Sequence, residues 1–226
     1  MKVASTGDVR ALMTRATGDE KHSESTTSTL DVLWVLYDRV LHVDPENPDA
    51  PDRDRFILSK GHGPASFYAV LAAKGFFPAE WLYRFLEFDG RLGSHPDRRL
   101  VPGVEASTGS LGHGLPMAVG VALALRARRN DAHVFVLCGD AELNEGSNWE
   151  AILLAGHLGL TNLTLVVVDN HSSSIPMRPW DAKLSSFGWE IRIVDGHDHA
   201  ALEEAFSARD DTRPMAVVAD IPEGEW

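Results

Sequence analysis

The chain has 226 residues, of which 44% are hydrophobic and 24% charged, and its formal net charge is −12. This length and balance are typical of a globular protein, and they favour one large α/β domain over residues 1–226 rather than two small ones. The acidic charge argues against nucleic acid or an anionic membrane surface as a partner, while the single cysteine, Cys138, excludes a disulfide framework and indicates a cytoplasmic protein.

Helical and strand patterns alternate along most of the chain. Residues 1–28 are polar, apart from a short helical possibility at 9–17, and we expect them to form an N-terminal extension. Apolar spacing then predicts helices over residues 30–41, 64–74, 78–86, 115–128, 148–158, 182–187 and 200–207. Short apolar runs predict strands at residues 56–58, 134–138, 163–168, 190–194 and 215–219. This alternation predicts an α/β fold: a doubly wound parallel sheet with helices on both faces.

Polar side chains follow two of these strands, at the point where each strand ends. Strand 134–138 ends at Gly139-Asp140, and strand 163–168 ends at Asp169-Asn170. Parallel strands joined by a crossover helix end at the same edge of the sheet, where open α/β folds bind ligands, so we expect Asp140 and Asn170 to lie together. One carboxylate and one amide oxygen suit Mg²⁺ when a phosphate supplies other ligands. The alternative roles are a helix N-cap for Asp140 and a turn for Asn170.

These residues resemble the thiamine-diphosphate signature of the transketolase family, a Gly-Asp-Gly opening closed by a later Asn. Four further segments are similar to family motifs in order and spacing: residues 59–63 (SKGHG, against Ser-Lys/Asn-Gly-His), 93–96 (GSHP), 108–114 (TGSLGHG) and 195–198 (DGHD). The resemblance covers roughly residues 30–219. It implies the diphosphate-binding (PP-type) thiamine-diphosphate fold, with thiamine diphosphate and Mg²⁺ (or Ca²⁺ or Mn²⁺ in its place) as cofactors.

The resemblance also implies a role for each residue that matches a motif. Asp140, Asn170 and the backbone carbonyl of Ser172 are the expected metal ligands. The expected cofactor-binding residues are His62, Gly109, Leu111, Gly114, Gly139, Asp140, Ala141, Glu142 and Asn170. Three residues are expected to take part in catalysis. His62 contacts a phosphate oxygen, His95 transfers protons at the substrate, and Glu145 joins a proton network between subunits.

Two of these residues also have a purely structural alternative. His62 can be a loop histidine, and Glu145 can be a first-turn helix carboxylate. The chain also departs from the family pattern at three places. Ala141 stands at the second glycine, and His113 stands at the usual glutamine. Gly18-Asp19-Glu20 stands where Gly-His-Pro is expected, so His22 matches the family histidine only after a shift of register. The roles of His22 and His113 stay open.

The family's second, pyrimidine-binding domain, whose glutamate activates the cofactor, has no match in this sequence. The resemblance therefore implies the diphosphate-binding subunit of a two-component transketolase-like transferase, which moves a two-carbon ketol unit from a small-molecule donor to an acceptor. Activity is expected only with a partner subunit that carries the pyrimidine-binding domain, in an α₂β₂ heterotetramer with Glu145, Trp149 and Glu150 at the interface.

Two alternatives stay open. One is an α-type subunit of a 2-oxo-acid dehydrogenase-like complex, which passes a two-carbon unit to a lipoyl or carrier-protein acceptor. The other is a non-catalytic scaffold that binds diphosphate ligands. The donor, the acceptor and the pathway cannot be read from the sequence.

Overall fold

A computed structural model of the chain describes residues 5–16 and 26–222. Its strands are β1 (Arg55–Leu58), β2 (Val134–Gly139), β3 (Leu163–Asp169), β4 (Glu190–Asp195) and β5 (Met215–Asp220). They form one sheet in the order β1-β2-β3-β5-β4, and every neighbouring pair is parallel. The predicted doubly wound parallel sheet is confirmed.

Seven α-helices of the described residues surround this sheet. They are α1 (Thr6–Met13), α2 (Leu30–Val35), α3 (Ala65–Lys74), α4 (Gly114–Ala127), α5 (Gly146–His157), α6 (Trp180–Ser186) and α7 (His199–Ser207). A π-helical turn, Leu36–Val40, continues α2, and 3₁₀ segments occupy Ala79–Arg84 and Ala141–Asn144. Of the helices that the structure describes, none is long and apolar enough to cross a membrane.

The helix predicted over residues 78–86 is wrong in type, because a short 3₁₀ segment occupies Ala79–Arg84. Leu82 is its buried residue, whereas the other five are half-buried or exposed. Without a continuous apolar stripe, packing does not hold a regular α-helix here. The segment ends at Phe85, which is extended, and Leu86 takes a positive φ of 65°.

Buried side chains form two clusters, one on each face of the sheet. Helices α1, α2, α3 and α7 cover one face, and α4, α5 and α6 cover the other. Successive side chains of β3 alternate between the clusters: Val166 and Val168 join the first, and Leu165 and Val167 join the second. Because both faces are covered, β2 and β3 are buried at every position, as expected for central parallel strands.

The N-terminal segment differs from the polar extension that the sequence predicts. The hydroxyl of Ser5 caps α1 by accepting from the backbone amide of Asp8 at 3.3 Å. Val9 and Leu12, three residues apart on one face of this helix, are buried in the first cluster. Residues 6–13 therefore belong to the packed body. Residues 17–25, which include the predicted substitute histidine His22, lie outside the described residues.

The strands end together at one edge of the sheet. Gly139 at the end of β2 is paired with Val168 of β3, and Asp169 at the end of β3 is paired with Asp220 of β5. The segments that follow β1, β2 and β3 therefore start side by side. These segments carry most of the predicted site residues.

Candidate functional site

Asp140 and Asn170 lie together at the ends of β2 and β3, as their positions predicted. Their exposed fractions are 3% and 5%. The Ser172 hydroxyl lies between them, 2.7 Å from Asn170 Oδ1 and 3.2 Å from Asp140 Oδ1. A carboxylate oxygen and an amide oxygen thus face one point, a donor set that fits Mg²⁺. The structure places the Ser172 hydroxyl at this point, and its carbonyl as a ligand stays a prediction.

The Asp140 carboxylate is also held by backbone amides. Oδ1 accepts from Ala141 N at 2.7 Å and so caps the 3₁₀ segment, while Oδ2 accepts from Ser173 N at 3.0 Å. The alternative role of N-cap is therefore present, and the role of metal ligand stays a prediction. The two amides fix the direction of the carboxylate, so little rearrangement is needed to present an oxygen to a cation. Ala141, at the family's second glycine, keeps its amide as a donor, here to Asp140.

Glu142 is buried and joins a chain of hydrogen bonds that links three segments of the site. The Gly114 amide donates to Ser59 Oγ at 3.0 Å, and the Ser59 hydroxyl donates to Glu142 Oε1 at 2.5 Å. The Gly112 amide donates to the same oxygen at 2.9 Å. Burial raises the pKa of this carboxyl group. Glu142 thus holds the 108–114 turn in place. This contact favours a role in positioning the turn over the direct cofactor contact that the resemblance implies.

Glycines allow the backbones of segments 59–63 and 108–114 to touch. A Cβ built on Gly61 would lie 2.7 Å from Gly109 N, and one built on Gly114 would lie 2.3 Å from Ser59 Cβ. Gly109 has φ +152°, and a Cβ there would lie 2.7 Å from His95 Cδ2. Side chains at these positions would separate the segments. Leu111, within the same turn, is half-buried.

The structure brings His62 and His95 together at this edge. Their rings are 5.0 Å apart in an edge-to-face arrangement, with His62 half-buried and His95 exposed. The buried Tyr68 hydroxyl holds the loop of His95 by donating to the carbonyls of Gly93 and His95, at 3.1 and 3.0 Å. His95 therefore stands on a supported loop, with the ring of His62 beside it.

Lys60 also lies in the site, although sequence reasoning gave it no role. It is only 8% exposed, and its Nζ is 3.5 Å from Ser28 Oγ, which is 3.4 Å from Asn170 Nδ2. Its Cδ passes 3.1 Å from the position that a Cβ on Gly139 would take. Burial lowers the pKa of the ammonium to about 8, and the charges of Asp140 and Glu142 oppose that shift. The sequence could have identified Lys60 as a site residue, because it lies within the 59–63 motif.

A second group of potential metal ligands adjoins the first. Among the described residues, Asp169, His171 and Asp220 place ligand atoms within 4.8 Å of one another. The Arg178 guanidinium already joins them, with Nε 2.8 Å from Asp169 Oδ2 and Nη2 2.5 Å from Asp220 Oδ1. The positive guanidinium compensates the two carboxylates and occupies the space that a metal ion would need. Arg178 therefore takes the place of a cation at this group.

Residues predicted at the subunit interface have different surroundings. Glu145 and Glu150 are exposed on α5 or just before it, and the Cβ of Glu145 packs against Gly112. Trp149 instead packs within its own chain: its indole donates to Leu143 O at 2.8 Å, and its ring centroid lies 5.8 Å from that of Phe187. Its role as an interface anchor stays a prediction. His113 is exposed immediately before α4.

The fold and the site together define an α/β domain whose predicted site residues meet at the carboxyl edge of its parallel sheet. The family to which this chain belongs is the transketolase family, because the model "Transketolase, thiamine diphosphate binding domain" matches residues 3–220. This match and the relatives that follow confirm three predictions: the transketolase family, a thiamine-diphosphate-binding domain, and a subunit of a transketolase-like enzyme.

The chain is 50% identical over 219 residues to "Ferredoxin fas2" of Rhodococcoides fascians, a match that covers 95% of this chain and 71% of that protein. It is 37% identical over 215 residues to "6-deoxy-6-sulfo-D-fructose transketolase subunit SqwG" of a Clostridium species, covering 90% and 78%. The solved transketolase of Leishmania mexicana has a TM-score of 0.82 at 30% identity, covering 96% of this chain. The chain spans 37% of that transketolase's length.

Proposed function

We propose that this chain is the diphosphate-binding subunit of a two-component transketolase-like enzyme, which transfers a two-carbon ketol unit by means of thiamine diphosphate. The observation that carries the proposal is the meeting of Asp140 and Asn170 at the same edge of the sheet as the His62–His95 pair. The match to one subunit of a transketolase over most of both chains supports a divided enzyme. It also favours transketolase chemistry over the 2-oxo-acid dehydrogenase alternative.

The oxygen ligands, the two histidines and the 108–114 turn each have a role in this proposal. Asp140 and Asn170, with Ser172, would hold Mg²⁺ against a diphosphate, and Ca²⁺ or Mn²⁺ accept the same oxygen donors. Thiamine diphosphate, when bound, supplies carbanion stabilisation. His62 would donate to a phosphate oxygen, and His95 would move a proton at a substrate hydroxyl. The 108–114 turn, with Gly109, Leu111 and Gly114, would hold the aminopyrimidine through its backbone.

The partner in this proposal carries the pyrimidine-binding domain, and the assembly is an α₂β₂ heterotetramer. An apolar surface on α4 and α5 supports an interface there, because Met117, Leu153 and Leu154 are exposed by 37, 56 and 45%. Closed two-fold symmetry is the common arrangement of such assemblies. We further propose that the chain is one domain and works in the cytoplasm, where the buried thiol of Cys138 stays reduced.

The test of the metal site is the substitution Asp140→Ala. We expect it to abolish Mg²⁺-dependent binding of thiamine diphosphate in calorimetry, with the circular dichroism spectrum unchanged, because a direct ligand is lost. The matched control is Asp131→Ala, an exposed aspartate before β2 at the opposite edge of the sheet, which should bind as the wild type does. Unchanged binding by Asp140→Ala would show that the metal site is elsewhere.

The test of the divided enzyme is reconstitution. The purified chain with excess cofactor and Mg²⁺ should turn over no donor ketose, and activity should appear when the co-purified partner is added. Light scattering of the complex should give the mass of two copies of each component. Robust turnover by this chain alone would contradict the proposal.

A further inference from the structure

A cavity of about 310 Å³ lies at the start of β1. It is lined by Arg53 and Asp54, which precede the strand, and by residues 98–105, which lie between His95 and the 108–114 turn. None of its lining residues is a predicted catalytic, cofactor-binding or metal-binding residue. Its volume is at the lower end of the range of small-molecule sites, so the cavity has room for a compact ligand.

Aromatic side chains form an apolar wall of this cavity. Tyr37, Phe56 and Phe76 all line it and are buried. The ring centroid of Tyr37 is 5.5 Å from that of Phe56 and 6.1 Å from that of Phe76, both edge-to-face. Val101 and Val104, which are also buried, add to the apolar lining. This wall suits the hydrocarbon part of a ligand.

Arg53 brings an unsatisfied buried donor to the cavity. Its Nη2 is 2.6 Å from Glu105 Oε2, and its Nη1 donates to the Asp54 carbonyl at 3.1 Å. Its Nε is also buried but has no hydrogen-bond partner among the described residues. A buried N–H group in a folded protein is nearly always paired with protein, water or a ligand. The Nε therefore needs an acceptor that the described part of the chain does not supply.

Three more arginines line the cavity and give it an excess of positive charge. The side chains of Arg91, Arg98 and Arg99 form no ion pair with any described residue, although the Arg91 guanidinium lies over the Trp81 ring, 4.6 Å from its centroid. Of the lining carboxylates, only Asp49 has no ion pair within the described ranges. This local excess contrasts with the formal net charge of −12 of the whole chain. Guanidinium groups bind carboxylates and phosphates through paired hydrogen bonds.

We infer that this cavity binds a small organic anion, with its carboxylate or phosphate group among the arginines and its apolar body against the aromatic wall. The inference does not depend on the proposed function, because it uses no residue of the cofactor site. The competing role is a hydrated cavity, in which water satisfies Arg53 Nε and the other arginines interact with solvent. The two roles differ in their response to a charged ligand and to a neutral ligand of similar shape.

The experiment titrates the full-length chain, without Mg²⁺, with benzoate, phenyl phosphate and the neutral benzyl alcohol. Calorimetry gives each Kd, and NMR follows the Nε–H signal of Arg53. The test variant is Arg98→Gln with Arg99→Gln. The control is Arg128→Gln with Arg192→Gln, which removes the same charge from exposed positions outside the cavity. We expect anion binding to shift the Arg53 signal, and the Kd to rise about tenfold to a hundredfold in the test variant alone, as for lost charge-assisted hydrogen bonds.

The remaining outcomes decide between the two roles. Binding of benzoate alone, or of phenyl phosphate alone, supports the inference and assigns the ligand class. The inference is overturned if neither anion binds the folded wild type, if benzyl alcohol binds as tightly as the anions, or if the test variant binds them unchanged. Equal weakening in the control variant indicates a general effect of charge and also overturns it. An Arg53 signal that does not move at saturation places the anion elsewhere, whether or not the test variant folds.

Discussion

The buried carboxyl group of Glu142 offers a sharp test of how the site is held together. We consider two substitutions, Glu142→Leu and Glu142→Gln. Leucine has a similar volume but accepts no hydrogen bond, whereas glutamine keeps one acceptor oxygen at a comparable position. The two variants therefore separate the loss of the hydrogen bonds from the loss of the charge.

The expected magnitude follows from the partners of Glu142 Oε1. In Glu142→Leu, the buried hydroxyl of Ser59 and the buried amide of Gly112 both lose their acceptor. A buried donor left unsatisfied costs about 1–3 kcal/mol, so the two together cost about 2–6 kcal/mol. Removing a desolvated carboxyl group offsets part of this cost. We expect a net loss of about 2–3 kcal/mol for leucine, and a change within about 1 kcal/mol for glutamine.

The raised pKa of Glu142 adds a pH dependence with a definite sign. The folded protein holds the proton more tightly than the unfolded chain does, so wild-type stability falls as pH rises from the unfolded pKa through the higher folded pKa. Glu142→Gln has no such proton, so its stability relative to the wild type should increase between pH 5 and pH 8.

Urea unfolding followed by circular dichroism, at both pH values, measures these differences. Thiamine diphosphate affinity should fall in Glu142→Leu and change little in Glu142→Gln, because only leucine releases the 108–114 turn. If the leucine variant were as stable as the glutamine variant at pH 7, the hydrogen bonds would not be holding the turn. A relative stability of Glu142→Gln that did not change with pH would refute the effect of burial.

Three further expectations concern other parts of the chain. Burial lowers the pKa of His133 to about 3, so between pH 6.5 and 3 the unfolded chain takes up a proton that the folded protein refuses. Wild-type stability should therefore fall by up to about 1.4 kcal/mol per pH unit on acidification, and His133→Gln should lack this slope in urea unfolding. Gly114→Ala should lower the free energy of unfolding by about 1–3 kcal/mol, because its Cβ would lie 2.3 Å from a side-chain carbon. Gly120→Ala on the same helix, where no described atom lies within 4 Å of the added Cβ, should raise it by about 0.5–1 kcal/mol. Leu153→Ser with Leu154→Ser should weaken association with the partner in sedimentation while leaving the melting of the isolated chain nearly unchanged; equal association would place the interface elsewhere.

The sequence alone determined the layered fold and the meeting of Asp140 with Asn170. Both follow from local patterns: apolar runs of strand length, a helical segment between them, and polar residues where the runs stop. Parallel strands joined by a helix must end at one edge, so a local pattern is enough to bring these two side chains together. The motif residues His62 and His95 can likewise be identified from the resemblance alone.

Tertiary structure decided which way the other side chains point. Ser59 and Glu142, 83 residues apart, meet only because β1 and β2 are neighbours in the sheet, and their contact turns Glu142 inward toward the 108–114 turn. Lys60 is buried by the end of β2 and by Ser28, 32 residues away, and Trp149 packs on Phe187 from a distant segment. Residue type and spacing along the chain do not encode these contacts, since each depends on which distant segments the fold brings into van der Waals range.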